Sequence, residues 1–135
     1  MIQFSSNLPN VMAAINREAE QRVFAGANEL RNAWINRLSG ERHGRTYRVP
    51  GTNRTYVASA PGESPAVQTG DFRRSVAINP PAWDDGQISS EVGSKLEKAP
   101  MLEFGTRNMR ARPSLAPARD DALPIIKQLM EAARR

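Results

Sequence analysis

The residues that could carry acid–base or metal chemistry are few and scattered along the chain. His43, the one histidine, lies between an arginine and a glycine, and nothing places it beside a nucleophile and an orienting carboxylate, as a catalytic triad requires. Two acidic pairs, at residues 84–85 and 120–121, stand alone, whereas a metal site needs clustered ligands. A helix cap explains the second pair better. We therefore expect no enzyme activity, no metal and no cofactor.

Thiol chemistry and phosphate binding lack support as well. The chain has no cysteine, which excludes disulfides and thiolate metal sites. It also lacks the glycine-rich loop with a following lysine that binds nucleotide phosphates. Basic and aromatic residues alternate at 45–48 and 54–56, which is a weak nucleic-acid signal. Two strands of a hairpin, with tyrosines on its packed face, account for them better.

Arginine dominates the charge of the chain. There are 19 basic residues, only three of them lysines, against 14 acidic ones, for a net charge of +5. The planar guanidinium suits carboxylate pairing across interfaces and contact with phosphate. The arginines form two clusters, the first with Arg37, Arg42, Arg45, Arg48 and Arg54 and the second with Arg107, Arg110, Arg112 and Arg119. Solvated loops, a subunit interface and a surface facing DNA all remain open as interpretations.

Length and composition predict one globular domain spanning residues 1–135. Apolar residues make up 39% and aromatic residues only 6%, so the core is thin, and neighbouring subunits often complete such a core. The first residues lack the basic and apolar regions of a signal peptide. No stretch approaches the roughly 18 apolar residues of a membrane span. We expect an intracellular protein without membrane contact.

A long amphipathic helix is predicted at residues 8–39. Apolar residues recur there in steps of three and four, beginning near Asn7 or Asn10 with Pro9 and ending at Ser39-Gly40. At 1.5 Å per residue the helix is about 45 Å long. Gly26 in its middle indicates a bend or a close contact. So long a helix cannot bury its whole apolar stripe in this chain, and part of it is expected to meet another subunit.

The remainder predicts an α+β fold with a small antiparallel or mixed sheet. Glycine and proline punctuate residues 41–70, which read as a hairpin with strands at 47–49 and 55–58, followed by a long arm loop. A helical turn at 71–75 precedes a sheet that extends to residue 106, with strands at 76–79, 87–93 and 101–104 and a loop at 80–86. A terminal helix is predicted at 113–135, kinked or broken near 120–123 because Pro124 lacks an N–H.

Two blocks of sequence carry a resemblance to a known family. Residues 59–76 read S-A-P-G-E-S-P-A-V-Q-T-G-D-F-R-R-S-V, and residues 99–106 read A-P-M-L-E-F-G-T. The second block continues with Met109, Ala111-Arg112-Pro113, Leu115 and Pro117-Ala118. In order and spacing, with flanking helices, both blocks resemble the HK97 gp10-like family of bacteriophage neck and tail-completion proteins. Three positions depart from the family pattern, namely Phe72, Lys98 and Ser114.

The resemblance implies a structural subunit of the head-to-tail connector of a tailed phage. Such a protein forms a homo-oligomeric ring, of six or twelve copies, that joins the head connector to the tail and lets DNA pass. Its partners are the adjacent neck proteins, namely adaptor or stopper, tail terminator or tail tube. It belongs to the virion, and to the host cytoplasm during assembly. A tail terminator capping the tube is the closest alternative, and a small basic DNA-binding protein is an alternative of another class.

The resemblance also suggests which residues face other subunits. Inter-subunit contacts are expected at Pro61, Gly62, Pro65, Gly70, Arg73, Glu103, Phe104, Gly105, Arg112 and Pro113. Basic loops facing the lumen or an adjacent ring are expected at Arg42, Arg45, Arg48, Arg54, Arg107 and Arg110. Glu103 is expected to pair with a neighbouring arginine beside a strand-ending turn. The alternative is that both blocks serve packing within one chain.

Overall fold

The protein has an α+β fold, as the sequence predicts. The computed structural model describes residues 2–60, 62–67 and 70–131. The elements in chain order are α1 (Leu8–Ser39), β1 (Thr46–Arg48), β2 (Thr55–Val57), α2 (Asp71–Ser75), β3 (Val76–Asp84), β4 (Gln87–Ser94), α3 (Lys98–Phe104) and α4 (Leu115–Glu131). The strands form two separate antiparallel pairs, β1–β2 and β3–β4.

The core lies where the C-terminal half of α1 meets α4 and the β3–β4 ribbon. Trp34 and Leu38 of α1 are buried with Val76 and Ala118, and Phe72 packs edge-on against the Trp34 ring. The Trp34 indole N–H donates to Ser114 Oγ at 2.8 Å, and Ser114 is fully buried. A buried indole N–H without an acceptor is costly, so this pair fixes how α1 meets the start of α4.

Small residues let α1 and α4 approach closely. Gly26 is buried, and a Cβ there would lie 3.3 Å from Met130 Cε and 3.5 Å from Ile126 Cγ2. Of the two roles predicted for Gly26, the structure shows the close contact. Farther along the same two helices, Arg37 binds Asp121 through two hydrogen bonds of 2.6 and 2.8 Å. The prediction that the 120–121 pair caps a helix is therefore wrong, because both residues lie inside α4.

The β3–β4 ribbon is longer than its sequence suggests. Residues 80–84, predicted to be a loop, continue β3, and only Asp85 and Gly86, both at positive φ, connect it to β4. The register shifts between Asn79 and Ala82, where two prolines cannot donate to the ladder. A bulge absorbs the prolines, which the sequence pattern marks only as breakers.

The segment at 101–104 is helical and not a strand. It belongs to α3, whose residues are mostly good helix formers, with Pro100 in the first turn, where its missing N–H is harmless. Gly105, with φ of 78°, ends the helix. A short run of apolar and acidic residues before a glycine is compatible with either a strand or a helix. The helix is favoured here because it lets Glu103 accept hydrogen bonds from the start of α4.

The two terminal predictions differ in outcome. Helix α1 begins at Leu8 and ends at Ser39, as predicted. Helix α4 runs without interruption through residues 120–123 and contains Pro124. The prediction of a break near these residues is therefore wrong. The helix begins two residues later than predicted, and residues 132–135 lie outside the described part. Within the described residues, no helix is long and apolar enough to cross a bilayer.

Candidate interaction surfaces

The described part of the arm loop, residues 58–60, 62–67 and 70, is organised around the carboxylate of Glu63. One Glu63 oxygen accepts the backbone N–H groups of Ala60 at 2.8 Å and His43 at 3.0 Å, and the other lies 2.5 Å from Nδ1 of His43. These bonds, that of Ala60 above all, lower the pKa of Glu63 from 4.5 to about 2. Gly62, at φ of 87°, completes the turn. Pro61, also predicted as a contact, lies outside the described residues.

Arg42 holds the other side of the arm loop. Its guanidinium donates to the carbonyl oxygen of Pro65 at 3.1 and 3.3 Å, and also to the carbonyls of Glu41 and Arg37. Burial lowers the pKa of Arg42. Arg42 was predicted to lie in a basic loop facing the lumen or an adjacent ring, but in this chain its donors are directed at its own backbone.

Glu103 caps helix α4. Its carboxylate accepts the backbone N–H groups of Ser114 at 2.8 Å and of Leu115 and Ala116 at 3.0 Å, three donors that a helix start leaves unpaired. An anion there is also favoured by the helix dipole. The predicted strand-ending turn is wrong, because Gly105 ends helix α3. Within the described residues Glu103 makes no ion pair with an arginine, and its pairing with an arginine of a neighbouring subunit stays a prediction. Gly105 makes the cap possible, because a Cβ there would lie 2.8 Å from the nitrogen of Ala111.

The two sequence blocks meet in space. The α3–α4 loop, residues 105–114, lies against the arm loop, with the Ser64 hydroxyl donating to the carbonyl of Pro113 at 3.0 Å. Arg112 Nη1 donates to Ser59 Oγ at 2.8 Å, and the Arg112 backbone N–H donates to the carbonyl of Leu102. Residues about fifty positions apart therefore form one surface.

A cavity of about 230 Å³ opens between these two loops and α2. Three cationic side chains, those of Arg73, Lys98 and Arg112, line this cationic cavity, together with the single acid Asp71. Asp71 is ion-paired with Arg74. The other walls are largely apolar and include Leu38, Phe72 and Leu102. Of the predicted contact residues, the cavity brings together Pro65, Gly70, Arg73 and Arg112.

The remaining predicted basic residues stay at the surface. Five arginines are exposed and make no ion pair within the described ranges, namely Arg45, Arg48, Arg54, Arg107 and Arg110. The tyrosines of the β1–β2 hairpin pair with each other across the strands, with ring centroids 6.1 Å apart. Tyr47 remains 49% exposed, so the prediction that both tyrosines lie on a packed face is wrong for that residue.

The N-terminal half of α1 presents an uncovered apolar surface. Four side chains form this α1 stripe: Leu8 is 61% exposed, Val11 44%, Met12 49% and Ile15 53%. No charged residue occurs between positions 2 and 16. The prediction that α1 cannot bury its whole stripe within the chain is therefore confirmed. Phe104, another predicted contact, is 81% exposed at the end of α3, beside Met101.

Three interactions of this region were not predicted from the sequence: Glu63 with His43, Ser114 with Trp34, and Arg37 with Asp121. Each joins residues at least twenty positions apart, so no local pattern reveals it. Ser114 comes nearest to a signal, because it is one of the three positions at which the chain departs from the pattern that it resembles. In the described ranges, His, Cys, Asp and Glu form no group of three able to hold a metal.

Comparisons with protein-family models, with curated proteins and with solved structures gave no match for this chain.

Proposed function

We propose that this chain is a structural subunit of the neck of a tailed bacteriophage. Copies form a ring that joins the head connector to the tail and leaves a passage for DNA. The phage assignment rests on the two sequence blocks, and it is supported by their contact in space through Ser64 with Pro113 and Ser59 with Arg112. A surface built jointly by two patterned loops suits recognition of a neighbour, because side chains from both loops are held in fixed positions.

The uncovered α1 stripe is the structural observation that carries the ring-forming part of the proposal. Four large apolar side chains on an uncharged helix segment are costly to leave in water, at roughly 25 cal/mol per Å² of apolar area. Such a surface marks a protein contact. In a ring each subunit would place this stripe against a different surface of the next one, and a head-to-tail contact of that kind gives a closed ring when the rotation between subunits is a whole fraction of a turn.

Removing the protein from infected cells tests the function. We expect DNA-filled heads and finished tails that fail to join, counted by negative-stain electron microscopy, with joining restored by the intact gene. A matched variant, Ile15→Asp, is expected not to restore joining, whereas Asn16→Asp, on a neighbouring exposed position, is. Normal virions in the absence of the protein would contradict the proposal.

A small basic DNA-binding protein remains the second candidate, because five exposed arginines make no ion pair in the described part of the chain. That function requires strong binding of duplex DNA by the isolated chain, with the logarithm of affinity falling linearly with the logarithm of salt. Fluorescence anisotropy between 50 and 200 mM salt measures it. The neck proposal expects weak binding without sequence preference, and strong, salt-dependent binding by the isolated chain would favour the alternative.

A further inference from the structure

Arg112 contains a buried donor that no described residue accepts from. Its Nε is buried and is the one such side-chain atom without a hydrogen-bond partner in the part of the chain that the structure describes. Nη1 donates to the neutral Ser59 hydroxyl, and among the described residues no carboxylate forms an ion pair with Arg112. Buried charges in proteins are normally paired, because burying one without a partner is costly.

The surroundings of Arg112 add charge of the same sign. Arg73 and Lys98 line the same cationic cavity, and neither pairs with an acid within the described ranges. The only bond of the Arg73 guanidinium to a described residue is a 3.2 Å contact with Ser39 Oγ. Three cations around one cavity therefore attract an anion, and the bond from Nη1 to Ser59 Oγ holds the Arg112 guanidinium in place beside it.

The shape of the cavity favours a carboxylate over the phosphate of a nucleic acid. The cavity measures about 230 Å³ and lies between two loops, with apolar walls from Leu38, Phe72 and Leu102. A side chain ending in a carboxylate enters such a space with its methylene groups against those walls. A backbone phosphate would have to bring its sugars and bases with it. Arginine matches carboxylate and phosphate geometry alike, so the preference rests on the size and walls of the cavity.

We infer that the cationic cavity is a carboxylate-binding site, in which Arg112 anchors an acidic side chain and Arg73 and Lys98 flank it. The source of that side chain, a neighbouring protein subunit, rests on the proposed function. The anion site itself does not. The site explains why the partly buried guanidinium of Arg112 has no counter-charge among the described residues, since the counter-charge arrives with the partner.

Titration of the purified chain with glutarate tests the site. The probe is followed through the Nε–H signal of Arg112 in ¹⁵N NMR spectra at constant ionic strength, with inorganic phosphate titrated in parallel. We expect saturable binding of glutarate, and at least about tenfold weaker binding in the double variant Arg73→Ala, Lys98→Ala, as for loss of about 1.4 kcal/mol. Both positions are exposed, so the fold is retained.

The matched control is Arg107→Ala, Arg110→Ala, which removes the same charge from exposed positions outside the cavity. It is expected to leave glutarate binding unchanged. Equal weakening by both double variants, absence of saturable binding, or tighter binding of phosphate than of glutarate would each overturn the inference. If the chain binds glutarate but never enters virions, the proposed function fails and the site stands. If it enters virions without binding glutarate, the site fails alone.

Discussion

At the scale of single residues, much of the polar chemistry of this chain is directed at its own backbone. Glu63 holds the arm loop, Arg42 binds three carbonyl oxygens, and Glu103 caps α4. The sequence marks Glu103 and Arg42 as noteworthy by their place in a block or a cluster. It does not give their partners, because each bond depends on how distant segments pack. The sequence thus indicates which residues matter here, but it does not indicate what each of them binds.

The low pKa of Glu63 makes a prediction about acid. Because the pKa in the folded chain is about 2, below the ordinary 4.5, the carboxylate stabilises the arm loop fully above about pH 4.5 and loses this effect as the pH falls through 2. The amide proton shift of Ala60 is expected to titrate with a midpoint near pH 2. Glu63→Gln is expected to abolish that titration, and Glu41→Gln to leave it intact. A midpoint near 4.5 would show that these bonds do not form.

The cap formed by Glu103 makes a prediction about stability. Glu103→Ala leaves three N–H groups at the start of α4 without this acceptor, so the free energy of unfolding is expected to fall by about 1–2 kcal/mol. Urea unfolding measures the change. Glu97→Ala is the control, since Glu97 is exposed and makes no capping bond at α3, and it is expected to have little effect. Equal losses in both variants would refute the cap.

At the scale of secondary structure elements, periodic segments were predictable and short ones were not. The helical spacing of apolar residues in α1 extends over about thirty residues, and it predicts where the helix begins and ends. The segments 80–84 and 101–104 were assigned wrongly because a bulge tolerates two prolines and because a tertiary cap selects helix. Over four or five residues, local preference is too weak to outweigh such contacts. The prediction of the β1–β2 hairpin is confirmed, because glycine and proline residues in its turn are strong local signals.

The link between α3 and α4 depends on Gly105. It combines φ of 78° with backbone atoms of Met109 and Ala111 that a Cβ would approach to 2.9 and 2.8 Å. Gly105→Ala is expected to lower the free energy of unfolding by about 3 kcal/mol, from strain and overpacking together. Gly51→Ala, at φ of 74° in open space, carries strain alone and is expected to cost about 1 kcal/mol. Equal costs would mean that the close approach is absent.

At the scale of the whole molecule, a packed core contrasts with several surfaces that the described residues leave exposed to solvent. The C-terminal half of α1 is buried against α4 and the ribbon, while the α1 stripe, Phe104 and the cationic cavity are exposed. The uncovered apolar groups of the α1 stripe and the cationic groups of the cavity lie on separate surfaces, as contact with more than one neighbour, which we propose, would require.

The most direct test of the account is electron microscopy of the virion neck at side-chain resolution. The account predicts a closed ring of this chain in which each α1 stripe is covered by the next subunit and an acidic side chain reaches Arg112. A virion that lacks the chain, or a ring in which Leu8, Met12 and Ile15 face solvent, would contradict it.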